Sequence, residues 1–183
     1  MLIPYGILSA AGVSGFTSDF ELISTAFGTG SSGVIDFTSI PQTYKHLQIR
    51  YTAKNSSTAT QINITMNSIT SGVYTRHSLL GNGSAVSSTS ASASQTSIQL
   101  VESMANSTTA NAVNSGVIDI LDYTSTTKNK TIRGMYGMAD NLTRVYLSSG
   151  LYNQTTAVSS VTLTASANNF SSLSRFSLYG IRG

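Results

Sequence analysis

Apolar and polar residues alternate with a period of two along most of this chain. Leu47, Ile49, Tyr51 and Ala53 alternate with His46, Gln48, Arg50 and Thr52, the pattern of a strand with one face in a core and the other in water. Ile62, Ile64 and Met66 repeat it against Asn63 and Thr65, and Val161, Leu163 and Ala165 against Thr162 and Thr164. Phe176, Leu178 and Gly180 do the same against Ser177 and Tyr179. Further strands are expected at 20–26, 34–38, 95–103, 116–123, 130–137 and 143–151, where Thr, Val, Ile and Tyr suit a pleated surface. Turn signals separate them: Gly28 to Gly33, Lys54 to Thr58, Gly81 to Ser84, Asp140-Asn141 and Asn168-Asn169. One helical turn is expected at Tyr74 to Leu80. The low-complexity stretch Val86 to Ser97 reads as a long surface loop. About ten short strands without crossover helices predict an all-β fold, an antiparallel β-sandwich of jelly-roll type.

The first residues break the pattern. Met1 to Gly12 is apolar, uncharged and ends in small residues. It does not read as a secretory signal, because it has no basic start and Pro4 and Gly6 interrupt it. No apolar run approaches the roughly 20 residues a membrane helix needs. The expected organisation is an extended N-terminal arm, residues 1–18, followed by one sandwich domain, residues 19–183. Met1, Leu2, Ile3, Pro4, Tyr5, Ile7 and Leu8 are the expected docking residues, seated on a neighbouring surface, the alternative being that the arm packs on its own domain.

Composition narrows the chemistry. The chain has 32 Ser, 24 Thr and 12 Asn among 183 residues, while charged residues make up 9%. Disorder needs low hydrophobicity and high net charge, whereas here 40% of residues are hydrophobic and the net charge is +3. Seven carboxylates and two histidines leave little for acid–base catalysis, and the absence of Cys removes disulfides and thiolate chemistry. The ten basic residues are scattered singly, apart from Lys128 and Lys130 in an expected turn, which argues against nucleic-acid binding.

Each candidate site has a plainer reading. Asp119, Asp122 and Asp36 invite a calcium site, but alternation puts Asp119 and Asp122 on opposite faces, and no loop carries the spaced ligands calcium favours. His46 and His77 lie among many serines, yet no G-x-S-x-G elbow occurs. The eight N-x-S/T sequons, at Asn55, Asn63, Asn82, Asn106, Asn129, Asn141, Asn153 and Asn169, are expected by chance in so Ser/Thr-rich a chain. No catalytic, cofactor or metal residue is assigned. Carbohydrate binding is the serious site-based alternative. Trp is absent, but Tyr5, Tyr44, Tyr51, Tyr74, Tyr123, Tyr136, Tyr146, Tyr152 and Tyr179 could form a sugar platform, or else lie in the core.

The stretch Val34 to Arg50, with its Ser-Ile-Pro-x-Thr-Tyr motif, resembles a pattern in tailed-bacteriophage virion proteins. So do the opening Ile3 to Ala10, the Gly81-Asn-Gly-Ser84 turn, Val117 to Thr131 with its VIDILDY segment, and the closing Arg175 to Ile181. The resemblance spans nearly the whole chain. It implies a structural virion component without catalytic residues. On that basis the expected role is a capsid decoration (cement) protein, located in the virion after synthesis in the host cytoplasm. Its expected partners are the major capsid protein or other virion proteins, reached through the arm, and copies of itself, with a trimer favoured. Neither nucleic acid nor membrane is an expected partner. The alternative is a tail-fibre or baseplate module that binds host-surface glycans; no fibrous heptad shaft supports it. A polysaccharide hydrolase would need a carboxylate pair.

Overall fold

The computed structural model describes residues 18–57, 60–101, 110–138 and 144–183. The arm residues Met1, Leu2, Ile3, Pro4, Tyr5, Ile7 and Leu8 lie outside the described residues. Among those described there are twelve strands and no helix: β1 (Phe20–Phe27), β2 (Val34–Phe37), β3 (His46–Ala53), β4 (Ile62–Met66), β5 (Tyr74–Gly81), β6 (Val86–Gln95), β7 (Ile98–Val101), β8 (Asn114–Ile120), β9 (Lys130–Met138), β10 (Arg144–Tyr152), β11 (Val161–Ala165) and β12 (Arg175–Ile181). They form two antiparallel sheets packed face to face, an all-β sandwich. The larger has the order β1-β12-β3-β8-β9-β10-β5-β6 and the smaller β2-β11-β4-β7.

The chain shuttles between the sheets. β1, β3, β8 and β12 lie together in the larger one, and β2, β4, β7 and β11 make up the smaller. The larger sheet then continues through β9, β10, β5 and β6. β2 packs over β1, and β7 over β5, β9 and β10.

Alternation explains the core. Leu47, Ile49, Tyr51 and Ala53 of β3, Ile62, Ile64 and Met66 of β4, and Val161 and Leu163 of β11 all point inward and are buried. Each large apolar side chain so placed contributes about 1.5–3 kcal/mol. Aromatic pairs tie neighbouring strands together: Tyr51 stacks on Phe176 at 5.6 Å and Tyr74 on Tyr152 at 5.2 Å between ring centroids. Thr162, Thr164, Asn63 and Thr65 take the alternate positions, so hydroxyls and amides cover the smaller sheet's outward side.

Three expectations are corrected. Tyr74 to Leu80 is not a helical turn but most of β5, paired on both sides with β10 and β6. Val86 to Ser97 is not a loop: Val86–Gln95 is β6, the edge of the larger sheet. Lys130 sits not in the expected turn but at the start of the expected 130–137 strand. It is the first residue of β9 and fully buried. Its Nζ donates to the backbone carbonyls of Ser125 (2.5 Å), Thr155 (2.7 Å), Lys128 (3.0 Å) and Gln154 (3.4 Å). The ammonium thus fastens the 121–129 connection to the segment after β10, and its burial pushes the pKa below the ordinary lysine range.

Candidate interaction face

The inward face of the larger sheet is spent on the core, so function is sought on its outward face. Antiparallel register lines up Leu79, Leu147, Met135 and Val117 on four consecutive strands, with Arg50 next to Val117 and Ser177 next to Arg50. One row away, Val145 and Val86 flank Gly81. On a water-facing surface these positions should be polar. Instead Val86 is 77% exposed, Val145 62% and Met135 53%, with Leu79 and Leu147 close behind. Contiguous exposed apolar side chains of this kind mark a contact surface.

Toward β1 this belt falls into a groove of about 690 Å³, within the range of small-ligand sites. Gly137 opens it. Its cross-strand partners are Val145 and Ser115, and a Cβ placed on it would meet nothing within 4 Å. Val117, Met135 and Val145 line one flank. Arg50, Arg175 and Tyr179 line the other.

Arg50 is held in place from several directions. Its guanidinium lies 5.1 Å from the ring centroids of both Phe20 and Tyr179, close enough for cation–π attraction. Its Nε donates to Gln48 Oε1 at 2.8 Å. The Gln48 amide donates to Asp119 Oδ1 at 2.8 Å, and Arg133 Nε donates to Asp119 Oδ2 at 3.0 Å. This chain exists because register places Gln48 opposite Asp119 and Asp119 opposite Arg133. Arg175 makes no ion pair with any described residue.

The carboxylates considered for calcium are separated. Asp119 belongs to this outward network, bonded to Gln48 and Arg133. Asp122 lies beyond β8 at φ 49°, where Lys128 Nζ, 2.9 Å away, holds its carboxyl below the usual range. Asp36 accepts the Thr162 hydroxyl at 2.6 Å. Among the described residues, no group of three His, Asp or Glu side chains is placed to hold a metal. His46 Nδ1 accepts the Asp122 N–H at 2.9 Å, and His77 is exposed on β5 with Ser149 and Ser90 as cross-strand partners.

Seven of the tyrosines, Tyr44, Tyr51, Tyr74, Tyr123, Tyr136, Tyr146 and Tyr152, are buried core residues. Tyr5 lies outside the described residues. Tyr179 alone among the described tyrosines faces outward, and Arg50 covers its ring. The Arg50 network escaped the sequence reading because it needs the strand order β3-β8-β9; the outward phase shared by Gln48 and Arg50 was its one visible sign. Comparison of the chain with family models, with curated proteins and with solved structures returned no match.

Proposed function

We propose that this chain is a structural protein of a tailed-bacteriophage virion, acting as a capsid decoration (cement) protein. The observation that carries this reading is the contiguous exposed apolar belt of Leu79, Val86, Met135, Val145 and Leu147 on the outward face of the larger sheet. A neighbouring copy covers the belt, and a trimer closes the association. The arm anchors the assembly to the major capsid protein or another virion protein through Met1, Leu2, Ile3, Pro4, Tyr5, Ile7 and Leu8. The mechanism is burial of area across joints between capsomers. Binding to the assembled shell and not to loose subunits stabilises the shell by mass action.

The strand order supports a jelly-roll core, with β1-β12-β3-β8 adjacent in the larger sheet and β2-β11-β4-β7 forming the smaller, the larger being widened by four more strands on which β7 packs. Jelly rolls recur in capsid proteins, a likeness at the level of fold alone. The role calls for no catalysis and no cofactor, and places the protein in the virion after synthesis in the host cytoplasm.

Deleting residues 1–12 tests the arm. The truncated chain should fold and yet be absent from purified particles; incorporation at the wild-type level overturns the anchor. Copy number tests the location, since a decoration protein scales with the number of capsomers. A few copies per particle instead favour the second reading, a tail-fibre or baseplate module that binds host-surface glycans. The groove beside Arg50 and Arg175 is the observation on its side.

A further inference from the structure

We propose that the outward groove binds a carboxylate-bearing sugar, with Arg50 receiving the carboxylate; this rests on the glycan-binding reading and names its ligand class. The guanidinium of Arg50 lies against the rings of Phe20 and Tyr179 and is tethered at Nε by Gln48. What remains is the edge carrying its two terminal nitrogens, which has no partner among the described residues. A planar fork of two N–H groups matches the two oxygens of a carboxylate. Because the side chain is already fixed, little rotamer entropy is lost when an anion arrives. Asp119, linked to Arg50 through Gln48, is paired with Arg133, which offsets its repulsion of an anion. Arg175, on the same flank, adds a second positive charge.

The rest of the groove favours a sugar over a bare anion. Val117, Met135 and Val145 offer an apolar wall to the C–H face of a pyranose ring, while Thr52 and Ser115 bring hydroxyls to one end. Gly137 supplies the depth. Met135 and Val145 belong both to the apolar belt and to the groove wall, so a neighbouring copy covering the whole belt and a bound sugar exclude one another.

The full chain is titrated with an oligogalacturonate, its methyl ester, a sialoside, a neutral oligosaccharide and a sulfated oligosaccharide. The free acid or the sialoside should bind. Esterification should weaken binding at least about tenfold, the scale of one charge-assisted bidentate contact. Arg50→Gln should bring the same loss with an unchanged melting temperature. Gly137→Val, which fills space that nothing occupies, should abolish binding without unfolding the chain. Equal binding of acid, ester and neutral sugar overturns the carboxylate assignment and leaves glycan binding standing, as does an acid-binding Arg50→Gln variant of full affinity. Preference for the sulfated sugar also overturns it. If no sugar binds, the glycan reading fails as well.

Discussion

Gly150 on β10 faces Ile98 on β7 with no room for a side chain between them. A Cβ at Gly150 would lie 2.7 Å from Ile98 Cδ1, 2.8 Å from its Cγ2 and 2.8 Å from the Thr75 carbonyl oxygen. The smaller sheet is seated here on the added strands of the larger one, and the same close approach is kept by Gly134 and Ser148, cross-strand partners with Leu100 against Gly134.

Gly150→Ala should therefore destabilise the fold by about 1–3 kcal/mol, the range for overpacking a close-packed interior. Urea denaturation checks it. Combining it with Ile98→Val should recover only part of the loss, because the Thr75 carbonyl belongs to the backbone and cannot be trimmed. Full recovery would mean that the sheet-to-sheet contact, and not the strand itself, sets the cost.

Lys130→Met should cost about 2–3 kcal/mol, since it leaves converging carbonyls without a donor in a buried place. Lys130→Arg should not rescue it. A planar guanidinium cannot aim donors at four oxygens gathered around one point. A melting temperature for Lys130→Met equal to wild type would show that water replaces the ammonium at no loss.

Two buried tyrosines should respond in opposite ways to loss of the hydroxyl. Tyr74 accepts the Met66 N–H at 2.9 Å and donates to the Ile69 carbonyl at 2.9 Å, so Tyr74→Phe should cost about 1–2 kcal/mol. The Tyr146 hydroxyl is buried with no hydrogen-bond partner among the described residues. Tyr146→Phe should be neutral or stabilising, and thermal melts of the pair decide the point.

Alkaline pH should unfold the protein through its tyrosines. Burial pushes the Tyr74 phenol up to about 12, and it also raises Tyr51, Tyr123 and Tyr152. Between the unfolded value near 10 and the raised folded values, the native state holds more protons than the unfolded chain. Stability is therefore full below about pH 10 and falls as pH rises through that window. Lys130, pushed down by burial, works in the other direction there, but as one group against four. Denaturant midpoints at about pH 9 and pH 11, read together with phenolate absorbance, test the sign.

Strands whose two faces differ in polarity were legible from sequence. β3, β4, β11 and β12 each put Leu, Ile, Val or Phe inward and polar groups outward for most of their length. β5 hid because its inward positions include Arg76 and Ser78, which interrupt the apolar phase. β6 hid because Ser and Ala occupy both of its faces, so no contrast exists to read. The burial of Lys130 had a faint sign, since it shares its phase with Ile132 and Tyr136. The outward face stayed out of reach. Arg50, Asp119 and Arg133 belong to three strands, and only pairing of β3 with β8 and of β8 with β9 brings them together.

The positions of β11 and β12 bear on how the molecule is made. β11 lies between β2 and β4, and β12 between β1 and β3, so each sheet receives an interior strand that is synthesised after all its other strands among the described residues. Until then β1 and β2 have no in-sheet neighbour to pair with. Closure of the core must await synthesis of both β11 and β12, which makes folding slow, as expected for contacts so distant in sequence. A nascent chain stalled before Val161 would expose unpaired edges of both sheets at once, and loss of even the final seven-residue strand should yield insoluble protein and not a smaller domain.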